Sequence, residues 1–255
     1  MRRTESADEA GWGGETGRNG VRAAFFGGSF DPPHLGHLAV ARAARKAFGL
    51  DVVLFAPVGT QPLKPEGPTA GFADRVAMTK LAITGETGFA ISLADAPEPN
   101  GDPNYTMETL VKLRDELGAG SALFCLMGAD SYFTLRQWHR AAEVPFAAPL
   151  IVASRPGESA NSLLGSLQNA LPEGLKLDSA RAAEALARGV EVRAFELTNE
   201  KGERTPFYVL PDLDVEISAT AIRSEIHAGR DSQKEVQALV PAAVANYVRA
   251  HGLYR

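Results

Sequence analysis

Short apolar runs alternate with amphipathic segments from residue 21 onward. The apolar runs predict buried strands, at 21–26, 51–56, 89–94, 121–127 and 150–153. The segments between them carry apolar residues at helical spacing, at 35–48, 72–83 and 105–117. Apolar strands that alternate with helices are typical of a parallel sheet covered on both faces. The pattern therefore predicts an α/β fold built on a doubly wound parallel sheet.

The second half of the chain follows a different pattern. Residues 158–205 are less regular, and we interpret them as an insertion with a helix near 179–188 and a strand at 190–197. C-terminal helices are predicted at 218–228, 232–239 and 242–251. At the other end, residues 1–20 combine five glycines with charged residues and little apolar periodicity. We expect these residues to form a disordered leader before one domain at 21–255.

Composition and charge narrow the function classes. The 255 residues carry a formal net charge of −5, which argues against a dedicated nucleic-acid binder. Cys125 is the single cysteine, so an intrachain disulfide and a cysteine-rich metal site are excluded. No apolar stretch is long enough for a membrane helix, and the N-terminal residues lack the apolar core of a signal peptide. We therefore expect a cytoplasmic protein that binds neither nucleic acid nor membrane.

The densest polar chemistry follows the first predicted strand. Two glycines, Gly27 and Gly28, allow a sharp turn and a close approach of a ligand to the backbone. Asp31 is predicted to cap the next helix, with a proline at the first helical position. His34 and His37 would share one face of its first turn, where backbone N–H groups attract anions. This block predicts a phosphate site; a zinc site would usually need a third protein ligand, so we predict no metal bound by the protein itself.

A second polar block lies near the C-terminus. Ser218 is a candidate N-cap, and Thr220 and Arg223 would lie on one face of the following helix. A hydroxyl, open backbone donors and a guanidinium suit a polyphosphate.

Taken together, the motifs resemble those of a known family. The pattern G-G-x-F-D-P-x-H-x-G-H with a later I-S-x-T-x-I-R resembles the nucleotidyltransferase α/β-phosphodiesterase superfamily and, within it, the bacterial nicotinate-nucleotide adenylyltransferases. Further similar segments are N-Y-T-M-E-T-L at 104–110, G-A-D-S at 128–131 followed by W-H, L-I-V-A-S-R-P-G at 150–157, and the final G-L-Y. The resemblance implies a Rossmann-like domain with C-terminal helices. It also implies AMP transfer from ATP to nicotinate mononucleotide, giving nicotinate adenine dinucleotide and pyrophosphate in NAD biosynthesis.

The resemblance also implies roles for individual residues. The catalytic groups would be His34, His37 and Arg223. The ATP-binding residues would be Gly27, Gly28, Ser29, Phe30, Asp130, Arg155, Ser218 and Thr220. The residues that bind the mononucleotide would be Lys64, Thr106, Trp138 and His139. Mg²⁺ would accompany ATP, held by the triphosphate and water. Leu63 stands where the family usually has a loop histidine, which leaves Lys64 to meet the mononucleotide phosphate.

Other functions remain open at this point. One alternative is another adenylyltransferase of the superfamily, with nicotinamide mononucleotide or phosphopantetheine as the acceptor. A second alternative is a catalytically silent nucleotide-binding regulator, although the intact His34, His37 and Arg223 argue against it. The oligomeric state is not predicted.

Overall fold

A computed structural model describes most of the chain. The described residues are 20–63, 67–154, 160–187, 189–210, 217–229 and 238–255. The predicted leader falls almost entirely outside these ranges, as does most of the helix predicted at 232–239.

Eight strands form one sheet within the described residues, in the order β3-β2-β1-β4-β5-β8-β7-β6. The strands are β1 (Arg22–Gly28), β2 (Val52–Pro57), β3 (Phe89–Ile91), β4 (Ala122–Gly128), β5 (Leu150–Ala153), β6 (Lys176–Ala187), β7 (Val190–Thr198) and β8 (Arg204–Leu210). Strands β1 to β5 and β8 are parallel, whereas β7 pairs antiparallel with both β6 and β8. The predicted α/β class with a mostly parallel sheet is confirmed.

Helices connect the strands and follow the sheet. They are α1 (Leu35–Phe48), α2 (Phe72–Ile83), α3 (Thr106–Leu117), α4 (Ala129–Thr134), α5 (Val144–Ala147), α6 (Ala160–Asn169), α7 (Ala219–His227) and α8 (Ala242–Ala250). A 3₁₀ turn, Leu135–Gln137, follows α4. The bounds of α1 and α2 agree with the prediction.

The winding of the sheet reverses at β1, so the boundary between β1 and β4 is the topological switch point of the sheet. From β1 the chain moves outward through β2 and β3, and then returns to place β4 on the other side of β1. Phe26 of β1 pairs with Leu126 of β4, so the two strands end at the same level. In open α/β sheets the crevice beyond the carboxyl ends of such strands is where ligands bind. The turn after Gly28 and the turn after Gly128 both border this crevice.

Strand β1 contributes to the core on both faces of the sheet. Phe25 belongs to the apolar cluster that includes Leu110 of α3, and Phe26 belongs to the opposite cluster with Leu38 of α1. This explains why the strand is a continuous apolar run. A third, separate cluster joins α2, α7 and α8.

The helix predicted near 179–188 is wrong. Residues up to Ala187 belong to β6, which pairs with β7 from Ala187↔Val190 to Ala183↔Ala194. Alanine, glutamate and arginine favour helix by only a few tenths of a kcal/mol per residue, and the backbone ladder along β7 outweighs that preference. The strand predicted at 190–197 is confirmed as β7, while β8 was not predicted. The segment interpreted as an insertion thus extends the central sheet.

A buried arginine secures the loops that leave β1 and β2. Arg75 of α2 is only 2% exposed. Its guanidinium donates to three backbone carbonyls: Ser29 O at 2.8 Å, Val58 O at 2.8 Å and Ala70 O at 3.2 Å. Burial lowers the pKa of Arg75, an effect opposed by the nearby charge of Asp31. Because these carbonyls lie outside regular ladders, the arginine replaces the partners that a strand or helix would give.

We expect Arg75→Met to lower the free energy of unfolding by roughly 3–5 kcal/mol, since it leaves three buried carbonyls without the donor that Arg75 provides. Urea denaturation measures this change. Arg42→Met is the matched control, because Arg42 forms an ion pair with Glu86 on the surface, and such pairs contribute about 0–1 kcal/mol. If the two variants lost equal free energy of unfolding, the role of Arg75 in holding the loops after β1 and β2 would be contradicted.

Candidate active site

The turn after β1 has a backbone shape that its neighbours impose. A Cβ added to Gly27 would lie 2.6 Å from the ring of Phe25, and one added to Gly28 would lie 3.3 Å from the ring of Phe30. Phe30 itself is 1% exposed and has a φ of 47°, a left-handed conformation that is uncommon for a bulky residue. The aromatic rings therefore occupy the space that side chains would need, and the chain turns sharply between them.

Two imidazoles lie at the start of α1. His34 directly precedes the helix, and the ring of His37 stacks on its ring with centroids 3.7 Å apart. The ring of Phe30 packs edge-on against His37 at 5.0 Å. The predicted placement of both histidines on one face is confirmed. The backbone N–H of His34 donates to Nδ1 of His37 at 3.1 Å. Because Nδ1 accepts, the neutral ring of His37 carries its proton on Nε2, which is then a hydrogen-bond donor.

Burial keeps both rings uncharged at neutral pH. It lowers the pKa of His34 to about 4. The pKa of His37 also lies well below its ordinary value, first because of burial and second because of repulsion from His34. Among the described residues, Nδ1 of His34 is buried and has no hydrogen-bond partner.

Asp31 does not cap α1, contrary to the prediction. The helix begins at Leu35, with His34 at the cap position. Two prolines explain this later start. Pro32 precedes Pro33, and a residue before proline avoids the helical conformation, so the helix cannot begin at Pro32 with Asp31 as its cap. The carboxylate of Asp31 instead accepts hydrogen bonds from Thr69 N at 2.7 Å, Ala70 N at 3.1 Å and Tyr254 Oη at 2.8 Å.

The C-terminal block meets this turn. Ser218 caps α7 as predicted, with its Oγ accepting from Ala221 N at 3.4 Å. Arg223 donates through Nη2 to Thr220 Oγ1 at 3.2 Å and through Nη1 to the carbonyl of Asp31 at 2.7 Å. Nη1 of Arg223 also lies 3.8 Å from the Asp31 carboxylate. The two predicted polar blocks, 192 positions apart, are thus brought together.

The N-terminus of α3 carries Thr106, one of the residues predicted to bind the mononucleotide. No side chain among the described residues caps α3, so the N–H groups of its first turn, beginning with Thr106, are not satisfied by a cap. The ring of Tyr105, just before the helix, lies against the ring of His139 with centroids 4.5 Å apart. His139 Nε2 is also 3.6 Å from Glu108 Oε1 of the same helix. Thr106 and His139, which were predicted to act together, therefore lie on neighbouring segments.

Two further predicted residues follow β4. Asp130 lies in the first turn of α4, directly beyond the switch-point strand. Trp138 is half-buried and donates through Nε1 to Thr134 Oγ1 at 3.3 Å, which orients its ring. Lys64 and Arg155 lie outside the described residues.

Several residues at the site were not predicted. Gln61 is one of them. Its Oε1 accepts from Ser29 Oγ at 2.9 Å, so the loop after β2 contacts the turn after β1. Arg75 could have been found as a charged residue on the otherwise apolar face of α2 that includes Met78 and Ala82. Tyr254 gave no chemical signal of its own, because its partner Asp31 is more than two hundred positions away.

The described residues also bear on the cysteine, on metal binding and on membrane helices. Cys125 is buried in β4, and burial raises the pKa of its thiol to about 12, so the sulfur keeps its proton. Within the described ranges, no group of three or more histidine, cysteine or acidic side chains could hold a metal ion. In the same ranges no helix is long and apolar enough to cross a membrane.

The switch-point crevice, the glycine turn and the converging imidazoles and guanidinium define a nucleotidyltransferase-type domain. A family model described as cytidylyltransferase-like matches residues 25–225. A relative from Gloeobacter violaceus that is named "probable nicotinate-nucleotide adenylyltransferase" is 37% identical over 235 residues, which cover 92% of this chain and 97% of the relative. One of the same name from Stenotrophomonas maltophilia is 38% identical, covering 91% of this chain and 96% of the relative. The chain therefore belongs to the cytidylyltransferase-like family and, within it, to the nicotinate-nucleotide adenylyltransferases.

Solved structures agree in fold. The nicotinic acid mononucleotide adenylyltransferase of Plasmodium falciparum, complexed with NaAD, superposes with a TM-score of 0.63 and is 14% identical. The alignment covers 92% of this chain and 97% of that one. At this identity the likeness establishes the shared α/β architecture.

We expect acid to remove stability through His34. The pKa of an unfolded histidine is about 6.5 and that of the folded His34 is about 4, so the unfolded state binds more protons between these values. As the pH falls through this window, His34 should cost roughly 3 kcal/mol of folding free energy. Denaturant unfolding of the wild type and His34→Gln from pH 7 to pH 4 measures this, because the advantage of the wild type should shrink as the pH falls.

Comparing the wild type with His34→Gln also removes the contributions of the other titrating groups to the pH dependence of stability. Asp95, whose pKa burial raises to about 6, acts in the opposite direction but is present in both proteins. A difference between the variants that does not change with pH would contradict a buried neutral imidazole.

Proposed function

We propose that the chain transfers the adenylyl group of ATP to nicotinate mononucleotide. An oxygen of the mononucleotide phosphate forms a bond to the α-phosphorus, the bond from that phosphorus to the bridging oxygen breaks, and pyrophosphate leaves. The observation that carries the proposal is the convergence of His34, His37 and Arg223 at the switch-point turn, in a chain of this family.

The chemistry asks for stabilisation of charge and for positioning. A phosphate is already ionised at neutral pH, so the attacking group needs no strong general base. Charge instead accumulates on the oxygens of the α-phosphate and of the leaving pyrophosphate. His37 Nε2 is the donor that its backbone contact with His34 leaves available, and it would serve the α-phosphate. The charged Arg223, together with the hydroxyl of Thr220, would hold the leaving phosphates.

The remaining ATP contacts follow from position. The backbone of Gly27, Gly28 and Phe30 would line the triphosphate, and Ser29 and the cap residue Ser218 would offer hydroxyls. Asp130, in the first turn of α4, would meet the nucleotide sugar, and Arg155 would lie near adenine. These roles rest on the family motifs and on where the described residues lie.

Mg²⁺ would be bound through ATP. The described side chains at the turn are mostly donors, and the one buried carboxylate, that of Asp31, already accepts three hydrogen bonds. This donor set suits an anion, so triphosphate oxygens and water would hold the ion. The ion would neutralise part of the triphosphate charge. The single buried thiol fits a reducing compartment, and we place the enzyme in the cytoplasm.

The acceptor pocket would be formed by α3 and the segment after the 3₁₀ turn. Trp138 would stack on the pyridine ring, and Lys64 would meet the mononucleotide phosphate. The backbone N–H groups of Thr106 and His139 would receive the carboxylate. The uncapped start of α3 supports this arrangement, because helix N-termini favour negative charge.

We expect nicotinate mononucleotide to exceed nicotinamide mononucleotide in kcat/KM by about tenfold to a hundredfold. N–H groups suit two carboxylate oxygens, whereas an amide NH₂ would face another donor and lose a hydrogen bond, at a cost of about 1–3 kcal/mol. Pyrophosphate release with ATP and each acceptor, phosphopantetheine included, measures this preference. Trp138→Ala is the control, because stacking serves both pyridine rings and the variant should weaken both without changing their ratio. Equal use of acid and amide, or turnover with phosphopantetheine, would refute the assignment.

We expect His37→Ala to lower kcat about 10²–10³-fold, the usual loss when one donor to a developing charge is removed. The protein should stay folded by circular dichroism. His227→Ala provides a matched control, since His227 is exposed at the end of α7 and should keep wild-type turnover. Near-normal turnover in a folded His37 variant would remove the imidazole from the mechanism.

A further inference from the structure

The last residues of the chain return to the phosphate-binding turn. Tyr254 has a φ of 67° and is 8% exposed, and its hydroxyl donates to Asp31 Oδ1 at 2.8 Å. Asp31 is 3% exposed and lies three positions before His34. Burial, reinforced by the neighbouring carboxylate, raises the pKa of Tyr254, so the phenol keeps its proton and remains a donor.

Asp31 is held at both its side chain and its main chain. The N–H groups of Thr69 and Ala70 bind its carboxylate, while its carbonyl accepts from Nη1 of Arg223 at 2.7 Å. The orientation of the carboxylate therefore affects the direction of the carbonyl that Arg223 uses. A shift of Asp31 would move both the guanidinium and the segment that leads into His34.

The ring of Tyr254 belongs to the apolar cluster that supports Arg223. This cluster contains Met78 of α2, Ile222 of α7 and Val244 of α8. Ile222 precedes Arg223 directly on α7. Tyr254 thus packs in the cluster that supports the helix of Arg223. It also donates a hydrogen bond to Asp31, the residue whose carbonyl accepts from Arg223.

We propose that Tyr254 is a positioning residue for ATP, acting through Asp31 to hold Arg223 and the histidine turn in the geometry that receives the triphosphate. The inference rests on the proposed function, because it assumes that this turn binds ATP. An arginine with two fixed partners loses less side-chain freedom when a phosphate arrives than an arginine moving in solvent. A merely structural tyrosine would stabilise the fold without changing the affinity for ATP.

The chain contains a matched control for this hydrogen bond. Tyr247 of α8 donates through its hydroxyl to Asp74 Oδ1 of α2 at 2.9 Å. It packs against the same apolar cluster, and none of its described hydrogen bonds involves the phosphate-binding turn. Tyr247→Phe therefore removes a tyrosine–aspartate bond of similar length in the same part of the fold.

The experiment compares Tyr254→Phe with Tyr247→Phe. Titration calorimetry without acceptor gives the Kd for ATP, steady-state assays give kcat and the KM of each substrate, and thermal unfolding gives Tm. We expect Tyr254→Phe to raise the Kd and KM for ATP about tenfold, as expected when a buried acceptor loses a partner. Its KM for the mononucleotide should stay within about twofold, and Tyr247→Phe should leave both affinities within about twofold of wild type.

Several outcomes would overturn the proposal. If Tyr254→Phe loses only Tm, as Tyr247→Phe would, the tyrosine is structural. If Tyr254→Phe raises the Kd for ATP equally in wild-type and Arg223→Ala backgrounds, the effect does not pass through Arg223. Should Tyr254→Phe fail to fold, Asp31→Leu replaces it, because leucine removes the acceptor of Tyr254 Oη, and unchanged ATP affinity in that variant refutes the proposal.

The outcomes also separate this inference from the proposed function. A wild-type protein that binds ATP but ignores nicotinate mononucleotide would remove the proposed acceptor, while the Kd comparison would still decide the role of Tyr254. A wild-type protein that does not bind ATP would overturn both.

Discussion

The structure of the site depends on partners for an irregular, buried backbone. The turn after β1 leaves the sheet at its centre, where the carbonyls of Ser29 and Asp31 cannot join a ladder. Buried carbonyls without partners are costly, and here two guanidiniums meet the need: Arg75 from α2 and Arg223 from α7. The same hydrogen bonds that stabilise the turn therefore bring two distant helices to it.

The two guanidiniums and the carboxylate between them also determine the charge of the crevice. One buried carboxylate lies between the two guanidiniums, while both imidazoles are kept neutral by burial. The crevice consequently offers donors and a partly exposed guanidinium without a dense positive charge before ligand arrives. A triphosphate would bring negative charge to the guanidinium of Arg223 and to the Nε2 donor of His37. Such a site fits a chain with a negative overall charge, because the attraction for phosphate is local.

The parts of the fold that follow from local rules could be predicted from the sequence. The periodicity of α1 and α2 gave their bounds, and the spacing of His34 and His37 gave their shared face. Errors arose where distant contacts decide. The ladder with β7 turns a helix-favouring segment into β6, and two prolines with distant donors take Asp31 away from its expected cap. The family motifs implied that Arg223 acts at the phosphate site with His34 and His37, and only the tertiary structure shows that it donates to the carbonyl of Asp31.

The division of the apolar core bears on how the site could move. Two clusters cover the faces of the sheet and include β1, whereas the third joins α2, α7 and α8 beside it. His34 and His37 start a helix packed on the sheet, but Arg223 lies on a helix of the third cluster. Smaller cooperative units can open without global unfolding. The hydrogen bonds of Asp31 to Arg223 and Tyr254, and the bond from Leu35 N to Leu239 O, hold this cluster against the start of α1.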